Sequence, residues 1–313
     1  MSQNTLTFTY AKAAGKKVIL DPPLAKPVAS APAAAASAAG DPEWTALPDR
    51  QYEDALRELD QLIGLEPIKS TIHELAHYTA VQQFRKKQGY KTPSMSMHMA
   101  FLGNPGTGKT TVARLLAKLF HRIGILKEEK FREVSRVNLV GNYVGHTAKD
   151  TMAVLQEARG GILFIDEAYS LVRDNPNDFG MEAVETLLKY MEDHRNEIIV
   201  IFAGYREPML KFLSSNPGLA SRIPYQLHFP DYSLDELLSI ATYIAKEYDY
   251  KVSSAYQKAL MSLCFREKQK YNFSNARFVR NCIEKSIRKQ NARLAKAAVF
   301  QLEELNLLRK EDL

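Results

Sequence analysis

The octapeptide Gly103-Asn104-Pro105-Gly106-Thr107-Gly108-Lys109-Thr110 satisfies the pattern G-x-x-x-x-G-K-[ST] without a mismatch. Residues of these types at this spacing bind polyphosphate. The glycines let backbone N–H groups at a helix N-terminus surround phosphate oxygens. Lys109 is expected to reach the β- and γ-phosphates, the Thr110 hydroxyl to ligate Mg²⁺, and Thr111 counts in the same nucleotide-binding set. A glycine-rich turn without a ligand is the bland alternative. The flanks argue against it. Met97-His98-Met99-Ala100-Phe101-Leu102 is apolar enough for a buried strand, and residues 111–120 carry apolar side chains at helical spacing. A second stretch, Gly161-Ile162-Leu163-Phe164-Ile165-Asp166-Glu167, is an apolar strand ending in two carboxylates. Asp166 is placed to hold Mg²⁺ through water, and Glu167 to polarise the water that attacks the γ-phosphate. Together the two stretches predict ATP hydrolysis with ATP and Mg as the ligands.

These groups need a scaffold. Glu197-Ile198-Ile199-Val200-Ile201-Phe202-Ala203-Gly204-Tyr205 reads as another buried parallel strand, and residues 225–229 as a short one. Residues 132–140 read as a strand leading into Gly141-Asn142-Tyr143-Val144-Gly145, where an aromatic and a valine between glycines suggest an exposed, mobile contact and a buried turn aromatic is the alternative. Pro230-Asp231-Tyr232-Ser233 marks a boundary, with Ser233 as N-cap and Glu236 three residues on; the remainder reads as helical. Strands alternating with helices predict a parallel α/β domain followed by a small helical lid.

His73-Glu74-Leu75-Ala76-His77 matches the zinc-protease pattern H-E-x-x-H. A zinc site of that kind needs a third ligand, yet no Asp or Glu follows until Glu128, so two surface histidines one helical turn apart are the better account.

The 313 residues leave room for two domains, and at 45% hydrophobic and 25% charged the composition is that of a globular protein. No apolar run approaches the roughly twenty residues of a membrane span, and the N-terminus shows no signal-peptide core, which makes a cytoplasmic location the expectation. Cys264 and Cys282 have no metal or redox spacing and read as reduced thiols. The net charge of +6 permits an acidic partner without requiring one. Residues 1–50 differ in composition: residues 5–20 could form a β-hairpin, and an Ala/Pro/Ser-rich run follows that reads as a linker. The expected domains are therefore a flexible segment 1–50, an α/β domain 51–230 and a helical lid 231–313.

From about Tyr52 onward the chain resembles an AAA+ ATPase of the CbbX/CfxQ group. The residues carrying the resemblance are 103–110, Leu139-Val140-Gly141-Asn142-Tyr143-Val144-Gly145-His146-Thr147-Ala148, 160–169, Ala203-Gly204-Tyr205, 215–222 and Phe229-Pro230-Asp231-Tyr232-Ser233. Residues 5–20, 272–281 and 283–288 look more like the stage V sporulation protein K branch, with the red-type Rubisco activase branch second. The resemblance implies an AAA+ P-loop domain with a parallel sheet flanked by helices and an all-α lid. It further implies a homo-hexameric ring with ATP between subunits. In that ring Arg222 would be a finger on the neighbour's γ-phosphate; from the residue alone it could equally be a surface cation. Arg277 would sense the γ-phosphate within the subunit, with Arg280 as the fallback, and Ile63 and Gly64 would line the adenine pocket. Tyr143 and Val144 would form a pore loop gripping a client polypeptide, which is Rubisco if the activase branch holds. Tyr205 stands where these proteins usually carry a small polar residue, which leaves its role open.

The rival from another class is a nucleic-acid motor. The basic lid, including Arg266, Lys268, Lys270, Arg277 and Arg280, favours it, but no helix-turn-helix, OB or zinc-finger signal follows, and a solvated helix face is the preferred account. A non-hydrolysing scaffold is the third reading, and the Asp166-Glu167 pair argues against it.

Overall fold

In this computed structural model the chain divides into two units, residues 1–45 and residues 46–313. The structure describes residues 51–313 except Ser94, Asn142, Val144, residues 174–177 and residues 298–300. The expected N-terminal hairpin and linker, and Val144 of the expected pore loop, lie outside the described residues.

The elements follow in the order α1 (Gln51–Asp60), α2 (Glu66–Lys87), β1 (Met99–Gly103), α3 (Lys109–Ile123), β2 (Phe131–Val134), α4 (Arg136–Leu139) and α5 (His146–Ala158). Next come β3 (Ile162–Ile165), α6 (Gly180–Asp193), β4 (Ile199–Gly204), α7 (Arg206–Ser214), α8 (Pro217–Arg222) and β5 (Tyr225–Phe229). The C-terminal part holds α9 (Leu234–Glu247), β6 (Lys251–Val252), α10 (Ser254–Lys268), α11 (Asn275–Lys296) and β7 (Leu307–Leu308).

Strands β1 to β5 form a parallel sheet in the order β2-β3-β4-β1-β5. The order is legible in the side chains. Every residue of β1, β3 and β4 is buried, as a strand covered on both faces requires. The two edge strands instead mix buried with exposed residues: Phe-Arg-Glu-Val in β2 and Tyr-Gln-Leu-His-Phe in β5. Met99 sits opposite Ile201 on one side and Tyr225 on the other, which fixes the register around β1.

Alternate residues of each strand feed two cores. Met99 and Phe101 of β1, with Phe164, Ile201 and Phe229, pack under α1, α2 and α3. Ala100 and Leu102, with Leu163, Ile165 and Phe202, pack under α5, α6 and α7. Phe101 is the aromatic hub of the first core, its ring 4.9 Å from Phe229 and 6.5 Å from Phe164.

The strand expected over residues 132–140 is shorter than its composition suggests. It ends at Val134 and the chain turns into α4. The Ser135 N–H donates to Asn138 Oδ1 at 2.9 Å, a local bond that competes with continued sheet pairing. The helical C-terminal part starts as the Ser233/Glu236 spacing predicts: Glu236 N–H donates to Ser233 Oγ at 3.1 Å, and Ser233 N–H to Glu236 Oε2 at 2.6 Å. It also carries a feature that periodicity does not announce. Residues of β6 pair in parallel with β7, burying Leu308, and Arg293 grips the buried Asp312 through two bonds of 3.0 and 3.1 Å.

His73 and His77 lie on α2, and His73 Nε2 sits 2.8 Å from Asp60 Oδ1. Among the described residues no group of three His, Cys, Asp or Glu side chains could hold a metal ion, and no helix is long and apolar enough to cross a membrane. Cys264 is buried and Cys282 half-buried; both are free thiols, pushed up by burial to about 12 and about 11.

Candidate functional site

Strand β1 delivers the chain to the sheet's C-terminal edge, and α3 starts six residues later. The intervening loop turns on Gly106 and Gly108, both left-handed at φ +70° and +92°. A Cβ on Gly106 would fall 2.3 Å from the Ser274 carbonyl oxygen, so only glycine fits where the loop passes the start of α11.

Beside this loop lies a cleft of about 900 Å³. It gathers side chains that are far apart in sequence. Its lining includes Gly103, Pro105, Gly106, Gly108, Lys109, Thr110 and Thr111 from the loop and α3, Asp166 and Glu167 from the end of β3, Tyr205 from the end of β4, and Arg277 and Arg280 from α11. It also includes the apolar Leu62, Ile63, Leu65, Ile240 and Ile244, and the charged Glu58, Arg114, Lys118 and Glu247. One cavity thus offers both apolar and charged side chains, as a nucleoside triphosphate site requires.

Lys109 is half-buried. Its ammonium donates to the carbonyl oxygens of Gly103 at 2.9 Å and Asn104 at 2.7 Å. Burial pulls its pKa from 10.5 down to about 8, against the attraction of Asp166 and Asp231. Asp166 Oδ1 accepts the Glu167 N–H at 3.0 Å. Glu167 itself is held at φ +48°, a backbone state that side chains other than glycine seldom adopt and that recurs at functional sites. Tyr169 packs its ring against Gly204, 6.0 Å from the Tyr205 ring; burial and the nearby Glu167 carboxylate push its phenol up to about 12. The Lys109 ammonium, the Thr110 hydroxyl, the Asp166 and Glu167 carboxylates and the Arg277 and Arg280 guanidinium groups, together in one cavity, complement a triphosphate with a hard cation.

Some expected residues stand elsewhere. Asn104 turns its amide away to Asp231, 2.9 and 3.0 Å from the two carboxylate oxygens. Thr107 is buried and its hydroxyl donates to the Asn104 carbonyl at 2.8 Å. Gly64, at φ +65°, touches Glu236 and Tyr232 rather than forming a wall of the cleft; a Cβ there would meet Glu236 Oε1 at 2.1 Å. Arg222 lies outside its own chain's cleft, at the end of α8, with Nε 3.1 Å from Glu192 Oε2. Tyr143 is 70% exposed, its ring 5.5 Å edge-on from His146, and it too is no part of the cleft. Reading the sequence missed Tyr169, Asp231 and Asn275 as neighbours of the site. Their only sequence signals, an aromatic after the two acids and two punctuation points between elements, carry no spacing rule.

Residues 99–230 match the family described as ATPase family associated with various cellular activities (AAA), and residues 233–313 match the AAA lid domain. The chain is 45% identical to stage V sporulation protein K of Bacillus subtilis (strain 168) over 82% of this chain and 81% of that one. It is 44% identical to the chloroplastic ribulose bisphosphate carboxylase/oxygenase activase of Cyanidioschyzon merolae, over 78% and 84%, and 43% identical to protein CbbX of Cereibacter sphaeroides, over 83% and 86%. The solved structure of the Thermotoga maritima RuvB Holliday junction branch migration motor superposes with a TM-score of 0.55 at 21% identity, over 81% of this chain and 68% of that one. The FIGL-1 AAA domain in complex with ADP gives 0.56 at 17%, over 80% of each. At such identities these two share the fold alone. The residues of the loop, the paired acids and the lid therefore sit in a chain that belongs to the AAA ATPase family, in the group of stage V sporulation protein K and CbbX/CfxQ.

Proposed function

We propose that this ATPase is a protein-remodelling motor that works as a homo-hexamer and pulls a client polypeptide through its centre. The observation that carries the reading is the division of the charged groups. The cleft gathers groups suited to binding a triphosphate and activating water, while Arg222 stands outside it beside Glu192, a position that supports its use by the cleft of an adjoining copy.

In this reading, backbone N–H groups of residues 106–110 and the Lys109 ammonium bind the phosphates of ATP. Arg277 reads the γ-phosphate, with Arg280 beside it, and Ile63 lines the base end. Mg²⁺, held by the Thr110 hydroxyl and through water by Asp166, would neutralise charge on the β- and γ-phosphates. Glu167 accepts the proton of the attacking water, and the Arg222 guanidinium of a neighbour stabilises charge on the departing phosphoryl group. Tyr143, exposed on the segment between α4 and α5, is the side chain offered to the client.

Glu167→Gln is expected to bind ATP and assemble but not turn over, and Arg222→Ala to assemble and hydrolyse at least about a hundredfold more slowly. Mixing the two variants restores activity wherever a Glu167→Gln copy lends its Arg222 to an Arg222→Ala copy, whose cleft keeps Glu167. Mass measurement showing monomers of Glu167→Gln at saturating ATP, or no recovery on mixing, refutes the ring. The second reading, a Rubisco activase, rests on the 44% identity to the chloroplastic activase. Stimulation of ATPase rate by Rubisco with ribulose bisphosphate selects it; no response leaves the sporulation-type motor.

A further inference from the structure

The cleft is closed on one side by α11, which carries Arg277 and Arg280. What holds α11 there is a set of bonds to the phosphate-binding loop itself. Asp231 sits between the two. Its carboxylate accepts from the Asn104 amide at 2.9 and 3.0 Å and from the Asn275 amide at 2.7 Å. Asn275 is fully buried, at φ +45°, and its Oδ1 accepts the Tyr232 N–H at 3.0 Å. Two contacts to main-chain carbonyls of the loop complete the junction. The Ala276 N–H donates to the Gly106 carbonyl at 3.2 Å, and the Tyr232 hydroxyl donates to the Thr107 carbonyl at 3.3 Å. Gly106 approaches so closely that a Cβ would stand 2.8 Å from the Arg277 nitrogen.

We infer that Asp231 is a positioning residue for nucleotide recognition: by pinning Asn104 and Asn275 together it fixes the first turn of α11 to the phosphate-binding loop, so that Arg277 is presented to the phosphates by the loop that binds them. The physical case is the half-buried carboxylate. It is the charged acceptor that donors on two elements share: the Asn275 amide also reaches the Phe273 carbonyl at 3.0 Å and the Pro105 carbonyl at 3.4 Å, but removing the carboxylate takes away the group that joins it to Asn104. Asn275 adds a second constraint, because a left-handed backbone state at a non-glycine residue persists only when its surroundings hold it. The inference rests on reading the cleft as the ATP site.

The test is a double-mutant cycle read by fluorescent ATP and ADP titration on the full chain, with thermal melting as the check of folding. Asp231→Ala is expected to weaken ATP by about tenfold and ADP by less than about threefold, as Arg277→Ala does, since both withdraw one charge-assisted phosphate contact. Combining them is expected to give about the same tenfold loss, because the second change removes what the first has already displaced. Asn275→Gly breaks the same junction from the other side while keeping a backbone that glycine adopts freely, and it carries the test if Asp231→Ala does not fold. Additive losses of about a hundredfold in the double variant overturn the inference. So does wild-type ATP affinity in Asp231→Ala and Asn275→Gly alongside a loss in Lys109→Ala and Arg277→Ala. If Lys109→Ala and Arg277→Ala both bind ATP as the wild type does, the cleft is not the ATP site and the inference falls with it.

Discussion

Acid should destabilise this protein through one histidine. His98 precedes β1 by one residue and is 1% exposed. Its Nδ1 accepts the Val200 N–H at 3.0 Å, and its Nε2 faces the Met191 carbonyl at 3.3 Å. The ring is therefore neutral with its proton on Nε2, and a second proton would set a donor against the Val200 N–H. Burial pulls its pKa from 6.5 down to about 4, although the Met191 carbonyl and the Glu192 carboxylate pull the other way. Below pH 6.5 the unfolded chain takes up a proton that the folded chain refuses. Stability is then full above 6.5 and declines as pH falls toward 4. The gap between the two values, at about 1.4 kcal/mol per pH unit, amounts to about 3 kcal/mol. That is a large share of the roughly 5–15 kcal/mol that holds a domain folded. Urea unfolding of the wild type and of His98→Asn, from about pH 8 down to pH 4, isolates the effect, because titrations common to both cancel in the difference. The wild-type advantage is expected to shrink by about 3 kcal/mol across the window. A difference that stays constant with pH refutes the reasoning.

Two further outcomes follow from positions already described. Gly106→Ala forces a left-handed alanine and a Cβ 2.3 Å from the Ser274 carbonyl, and it is expected to weaken nucleotide binding at least about tenfold in a protein that still folds, as measured by fluorescent-nucleotide titration. His73→Ala with His77→Ala should leave ATPase rate and metal content unchanged and cost at most about 1 kcal/mol through the exposed His73–Asp60 contact; stoichiometric zinc in the wild type by elemental analysis would contradict that.

How much was legible depended on the range of the interaction. The sheet's inner strands announced themselves because a parallel strand covered on both faces must be apolar throughout, and Met99–Gly103, Ile162–Ile165 and Ile199–Gly204 are. The Ser233/Glu236 cap was legible because its partners lie three residues apart. The early end of β2 was harder to see, since one bond from Ser135 to Asn138 outweighed a pattern that continued to read as strand. The β6–β7 pairing was out of reach: two-residue strands more than fifty residues apart have no period to detect.

For the site the same division holds. The chemistry of phosphate binding is local, because a loop that wraps an anion with its own N–H groups must place its glycines, lysine and threonine at fixed offsets. The sequence by itself therefore marked residues 103–111 and the Asp166–Glu167 pair as candidates for phosphate handling, and determined that the chain is an α/β protein with a helical lid. Only the tertiary structure decided which distant groups line the same cleft. It brought Arg277, Arg280 and Tyr205 into the cleft, left Arg222 outside it, and turned Asn104 toward Asp231 and Asn275. Contacts across more than a hundred residues depend on how helices dock on the sheet, and docking is set by the summed packing of two cores, which no spacing of residues along the chain encodes.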